Sequence, residues 1–108
     1  QIPVAFIAVK EINDTTIEIK NLLTLENYRG HGYGKALIQH IEKLYQNKLT
    51  FLLGTANSSM TNMLIYTKLG YTYDHKIENF FIDYYPQEIY ENGMQATDLL
   101  YFIKTRAN

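Results

Sequence analysis

TLENYRGHGYGKALI, residues Thr24 to Ile38, is the stretch from which the rest of the chain can be read. It holds half of the chain's six glycines, Gly30, Gly32 and Gly34, with a cation on each side at Arg29 and Lys35. The alternating apolar run Thr16 to Leu25 before it predicts a strand. After it, Leu37, Ile38, Ile41, Leu44 and Tyr45 are spaced as one face of a helix running from Gly34 to about Gln46. The unit is strand, glycine loop, helix. Glycine suits backbone that turns with positive φ or approaches a ligand where a Cβ would intrude. A helix N-terminus offers free N–H groups and a partial positive charge. Lys35 in the first turn, with Arg29 and His31 nearby, is unfavourable there by about 0.3–1 kcal/mol unless an anion reverses the sign. A phosphate group is such an anion. A solvated glycine turn with incidental cations is the plainer account of the same residues.

Two phosphate-binding patterns do not fit. A dinucleotide fingerprint needs G-x-G-x-x-G, and the predicted strand Thr50 to Thr55 ends without the acidic residue that would hold a ribose. The pattern G-x-x-x-x-G-K-S/T is absent, because Ala36 follows Lys35. What remains is R-x-x-G-x-G over Arg29, Gly30, His31, Gly32, Tyr33 and Gly34. This resembles the acyl-CoA pyrophosphate loop of the GNAT acetyltransferase superfamily.

A second motif agrees with the first. Gly54 to Tyr71 predicts a helix capped by Asn57 or Ser58 and stopped at Gly70. Met60, Met63, Leu64 and Thr67 share one face, while Tyr66 lies off it on the flank that carries Ser59. Its ending, Leu64-Ile65-Tyr66-Thr67-Lys68-Leu69-Gly70-Tyr71, resembles the family's LYxKLGF helix end, whose tyrosine protonates the departing CoA thiolate. A tyrosine in an amphipathic helix otherwise packs with a wet hydroxyl. Many relatives place asparagine seven residues before this tyrosine. Here that position is Ser59, and Asn57 stands two residues early, so either could be the cofactor contact.

The resemblance also implies roles upstream. Asn21-Leu22-Leu23-Thr24 is similar to the segment whose main chain binds the pantetheine arm, with Leu23 and Thr24 nearest the thioester. Glu18, eleven residues before Arg29, stands at the spacing of the general base in histone-acetylating members. An outward residue of an alternating strand needs no such role. The resemblance implies an α/β GNAT fold, a mixed and mostly antiparallel sheet with helices packed on it. Residues 1–108 form one domain, from the family's third strand onward. Gln1 leads directly into the predicted strand PVAFIAVKEI, which pairs through an Asn13-Asp14 turn with Thr16 to Leu25. About 40 to 50 further residues are therefore expected upstream.

Composition narrows the function classes. With a net charge of −1, bulk charge does not favour nucleic acid or an anionic membrane. The absence of cysteine excludes disulfides and thiolate metal sites and is compatible with the cytoplasm. No apolar run reaches the length of a membrane span. His40 reads as a helix-flank residue, and no second ligand stands at metal spacing, so no metal is expected. The aromatic tail, Tyr71 to Tyr90, reads as a strand over 71–84 broken at Pro86, then a turn at Glu91-Asn92-Gly93, then a closing strand at Leu99 to Ile103. It lines an acceptor pocket or packs the core. The implied activity is acetyl transfer from acetyl-CoA to a primary amine by direct attack in a ternary complex. Tyr66 and Glu18 would be the catalytic residues, and the acceptor a small amine or a peptide N-terminus. A homodimer is allowed. The rival class is a non-catalytic acyl-CoA-binding module, or a partial domain completed by a partner chain.

Overall fold

The computed structural model describes residues 5–24 and 33–106. Its elements are β1 (Ala5–Glu11), β2 (Thr16–Thr24), α1 (Tyr33–Leu44), β3 (Thr50–Ala56) and α2 (Met60–Lys68). Then follow β4 (Thr72–Ile77), α3 (Phe80–Tyr84), β5 (Tyr90–Glu91), β6 (Met94–Gln95) and β7 (Leu99–Thr105). Two compact units divide the chain: Gln1–Leu52 with Lys104–Asn108, and Leu53–Ile103.

In the first unit the strands run in the order β1-β2-β3. β1 and β2 are antiparallel, and their register slips between Ala8 and Val9, so Lys20 is an extra residue in β2. The expected turn is present and is a side-chain turn: Asn13 Oδ1 accepts from Thr15 N–H at 2.9 Å and from its hydroxyl at 3.0 Å. The ammonium of buried Lys48 donates to the Asn13 and Asp14 carbonyls at 3.2 and 3.0 Å. Leu49 and Thr50 N–H both donate to Thr15 O, so β3 starts beside the start of β2, as a parallel neighbour would. Ile17 and Ile19 of β2 and Ile38 and Ile41 of α1 are buried as the alternation and helical spacing predict, and each contributes about 1.5–3 kcal/mol. Leu44 departs from its expected face and is 61% exposed. The end of α1 is held by Arg106, whose guanidinium donates to the Glu42 and Gln46 carbonyls and lies 4.5 Å from the centre of the Phe51 ring.

In the second unit the order is β3-β7-β4. The chain leaves α2 through a Schellman motif: Tyr71 N–H donates to Tyr66 O, Gly70 N–H to Thr67 O, and Gly70 has φ +93°. The Lys68-Leu69-Gly70-Tyr71 sequence is thus a helix stop with a physical cause. Its apolar clasp is the Tyr66–Tyr71 ring pair, with centroids 6.4 Å apart. β4 has no buried residue and carries a bulge at Asp74. Bulges and charges such as Asp74 and Lys76 are devices that keep an edge strand from pairing further.

Two expectations are corrected in this unit. The strand read over 71–84 stops at Ile77. Asn79, at φ +58°, turns the chain into α3, and Phe81 N–H bonds to Thr97 O instead of to a neighbouring strand. Aromatic residues have strand propensity only where a pleated surface receives them. The second correction concerns α2: Met60 and Leu64 are each 55% exposed, and Tyr66, expected off the apolar face, is its buried residue. The Glu91-Asn92-Gly93 turn is as expected, with Asn92 at φ +55° and Gly93 at φ +73° joining β5 to β6.

Candidate active site

β3 and α2 build the best-described part of the site. Along β3, Phe51, Leu53 and Thr55 alternate as buried residues. Thr55 is therefore a hydroxyl on the core side of a strand, where period-two alternation would have found it. Tyr66 is 1% exposed, and its ring packs edge-on against Phe102 at 5.8 Å. Burial pushes its phenol up to about 12, and a hydrogen bond with Thr55 acts the other way. Asn62, one turn before Tyr66, donates its Nδ2 to Thr55 Oγ1 at 3.5 Å. Asn62 and Thr55 had no sequence signal as site residues; only the fold brings them to Tyr66.

Helix α2 is capped differently from the expectation. Its cap residue is Ser59, not Asn57 or Ser58, and no side chain makes a capping bond. Ser59 Oγ instead donates to Glu91 Oε1 at 2.5 Å. Asn57 is engaged on every side: Oδ1 accepts from Thr97 N–H at 2.8 Å and Asp98 N–H at 3.1 Å, and Nδ2 donates to Gln95 O at 3.3 Å. Asn92 Nδ2 donates to Ser58 O at 2.9 Å. The start of α2 and the β5–β6 hairpin are thus clasped by side chains, with Glu91 and Asn92 as members the sequence did not announce. Ser58 Oγ is buried without a partner among the described residues.

Arg29, Gly30, His31 and Gly32 lie outside the described residues. Tyr33 opens α1, Gly34 is buried in its first turn, and Lys35 is exposed. Leu23 and Thr24 end β2, opposite Phe6 and Ala5. Glu18 is half-buried in β2 with Lys10 directly across the ladder, a pairing that gives a carboxylate a structural reason to be there. His40 is exposed on α1. Among the described residues no three His, Cys, Asp or Glu are placed to hold a metal ion. Nor is any helix among them long and apolar enough to cross a membrane.

Within the aromatic tail Tyr71 is buried and Tyr73 lies in β4, but the cluster from Phe80 to Tyr85 forms neither a strand nor a buried core. Phe80, Phe81, Tyr84 and Tyr85 contact one another, and Tyr84 is 72% exposed. A half-open pocket of about 210 Å³ lies beside them, walled by Phe81, Ile82, Tyr85 and Pro86 with Glu88 and Gln95 at its polar side.

Comparison with known proteins agrees with the fold. Residues 1–73 match the acetyltransferase (GNAT) domain family. A Bacillus subtilis (strain 168) protein described as an uncharacterized N-acetyltransferase is 36% identical over 89 residues, which are 79% of this chain and 56% of that protein. The chain therefore spans little more than half the length of that curated relative. A GNAT family acetyltransferase from Elizabethkingia anophelis, solved with acetyl-CoA bound, superposes with a TM-score of 0.89 at 28% identity, covering 95% of this chain and 69% of that one. An IAA acetyltransferase from Bacillus cereus superposes at 0.91 and 27% identity, covering 95% and 70%.

Proposed function

The chain belongs to the GNAT acetyltransferase family, and on that premise we propose that it moves the acetyl group of acetyl-CoA to a primary amine by direct attack. The observation that carries this reading is the setting of Tyr66. A phenol raised to about 12 keeps its proton at every working pH, and the Schellman stop fixes the helix end that presents it. A buried phenol in the family's LYxKLGF-like ending is protonated at working pH and so has a proton to offer a leaving thiolate as charge develops on it.

The chemistry balances as follows. The amine lone pair attacks the thioester carbonyl carbon, a C–N bond forms, and the C–S bond breaks with its electron pair on sulfur. Tyr66 gives its proton to that sulfur and recovers one from solvent. Glu18 takes the proton released by the amine nitrogen. The Arg29 to Lys35 loop and the start of α1 hold the pyrophosphate, and the main chain of Leu23 and Thr24 takes the pantetheine arm. The acceptor is a small amine or a peptide N-terminus.

The rival reading, a non-catalytic acyl-CoA-binding module, draws on the same residue, because the contacts of Tyr66 with Tyr71 and Phe102 also suit a packing role. Release of CoA thiol from acetyl-CoA, measured with ethylamine, phenethylamine, spermidine and a tripeptide, separates the two. Amine-dependent release is the expected result. Calorimetric binding of acetyl-CoA without release by any of the four would establish the binding module.

A further inference from the structure

The pocket beside α3 is held in shape by main-chain bonds of the second unit. Phe81 N–H donates to Thr97 O at 3.0 Å and Ala96 N–H to Ile89 O at 2.7 Å, which fastens α3 on one side and the chain after β6 on the other. Two of the walls, Phe81 and Tyr85, are four residues apart, with ring centroids separated by 5.5 Å. Glu88 stands at the polar side, and its Oε2 accepts from the Tyr90 hydroxyl at 2.8 Å. A carboxylate has about four lone-pair sites, so this bond orients Glu88 without exhausting it. The charge around the pocket has one sign. Between Lys76 and Lys104 the chain carries Glu78, Asp83, Glu88, Glu91 and Asp98 and no Lys, Arg or His. Lys76 lies 3.8 Å from Glu78 and 3.6 Å from Asp98, and the Ser59 hydroxyl serves Glu91. Among the described residues no cation is within ion-pair distance of Asp83 or Glu88. Aromatic faces attract cations through the ring quadrupole. The rings and the carboxylate therefore select the same charge.

We propose that this pocket binds a small organic ammonium ion, with its nitrogen at Glu88 and its apolar body against Phe81, Tyr85 and Pro86. A volume of about 210 Å³ suits one ring with a short chain rather than a larger ligand. An anion of the same shape would meet both the Glu88 charge and the negative faces of the rings. A neutral ligand would leave the carboxylate unanswered. The site is independent of the reading of Tyr66. The nitrogen held here keeps its proton and has no lone pair to give, so it is not the nitrogen that attacks a thioester. Binding needs no acetyl-CoA, and no bond is made or broken.

The test is a titration of the full chain at neutral pH, followed by amide NMR shifts, with phenethylammonium, 3-phenylpropionate and 2-phenylethanol as probes. The three share a ring and a two-carbon chain and differ in charge. Phenethylammonium should bind saturably, with its largest shifts within residues 81–96 and the millimolar affinity of a fragment. Glu88→Gln keeps an acceptor for the Tyr90 hydroxyl and removes the charge. It should weaken phenethylammonium about fivefold, the upper worth of an exposed ion pair, toward the affinity of the alcohol. Tyr85→Leu should weaken it about two- to fivefold. Equal affinity for 3-phenylpropionate or 2-phenylethanol in the parent chain would overturn the inference. So would shifts confined to residues outside 81–96, no saturable binding, or unchanged affinity in Glu88→Gln. None of these readouts requires turnover, so their failure leaves the acetyl-transfer reading standing, and failure of CoA thiol release leaves this site standing.

Discussion

Tyr66→Phe is the perturbation that bears most directly on the mechanism. The variant keeps the ring, and with it the contacts to Phe102 at 5.8 Å and Tyr71 at 6.4 Å, and deletes only the hydroxyl. With the phenol near 12 and a thiol near 8.5, complete transfer in the ground state would be uphill by about 3.5 units, or roughly 5 kcal/mol. Tyr66 therefore gives its proton only as the C–S bond breaks, through a hydrogen bond that strengthens as negative charge develops on the sulfur. Such bonds are worth about 1.5–3 kcal/mol, so kcat should fall about 10- to 150-fold. Calorimetric affinity for acetyl-CoA should stay unchanged. The same hydroxyl has a second readout in stability. Its folded pKa lies above the unfolded value of 10, so the native state holds more protons at high pH. Its contribution is fully present below pH 10 and is lost as pH rises through about 12, by about 3 kcal/mol in all. Urea titrations across that window should show the loss in the parent chain and a shallower one in the variant. A variant keeping more than about half of the parent kcat would refute the acid role, since even one such hydrogen bond exceeds that loss. A large fall in neutral-pH stability would assign Tyr66 to packing instead.

Other expectations follow from separate parts of the molecule. Asn57→Ala removes three side-chain hydrogen bonds and leaves the Thr97 and Asp98 N–H groups without their partner. It should cost about 2–4 kcal/mol in urea unfolding, and a loss of acetyl-CoA affinity without loss of stability would instead make Asn57 a cofactor contact. Arg106→Ala releases the Glu42 and Gln46 carbonyls and uncovers the Phe51 ring. A fall of about 1–3 kcal/mol is expected, and unchanged thermal unfolding would contradict that role. Gly32→Val places a side chain in the R-x-x-G-x-G loop and should abolish acetyl-CoA binding while leaving unfolding near normal; equal affinity by calorimetry would remove the loop from the binding site.

Legibility in the sequence followed the range of the interaction. The Gly70 stop and the Asn92-Gly93 turn were readable because a positive φ is a demand made on one residue, and glycine and asparagine answer it locally. The buried faces of β2 and α1 were readable because four isoleucines keep strand and helix periods without interruption. Helix α2 was misread for the same reason in reverse. Its apolar residues do not form a single stripe, so spacing could not tell which flank a sheet would cover. The partners that cover Tyr66 stand at Tyr71 and Phe102, and the latter is far along the chain.

The site separates along the same line. Tyr66 was legible by its place before a helix stop, which is a local pattern. Its surroundings were not, because they depend on which β3 residue faces α2. Asn57 makes the contrast plainest: its neighbours in sequence suggested a helix cap or a cofactor contact, yet its bonds go to Gln95, Thr97 and Asp98. An asparagine offers two donors and an acceptor wherever it is placed. What it does with them is decided by backbone that arrives some forty residues later. A motif can therefore name the residue that does chemistry, while the groups that orient it are fixed only when β3, α2 and the β5–β6 hairpin come together.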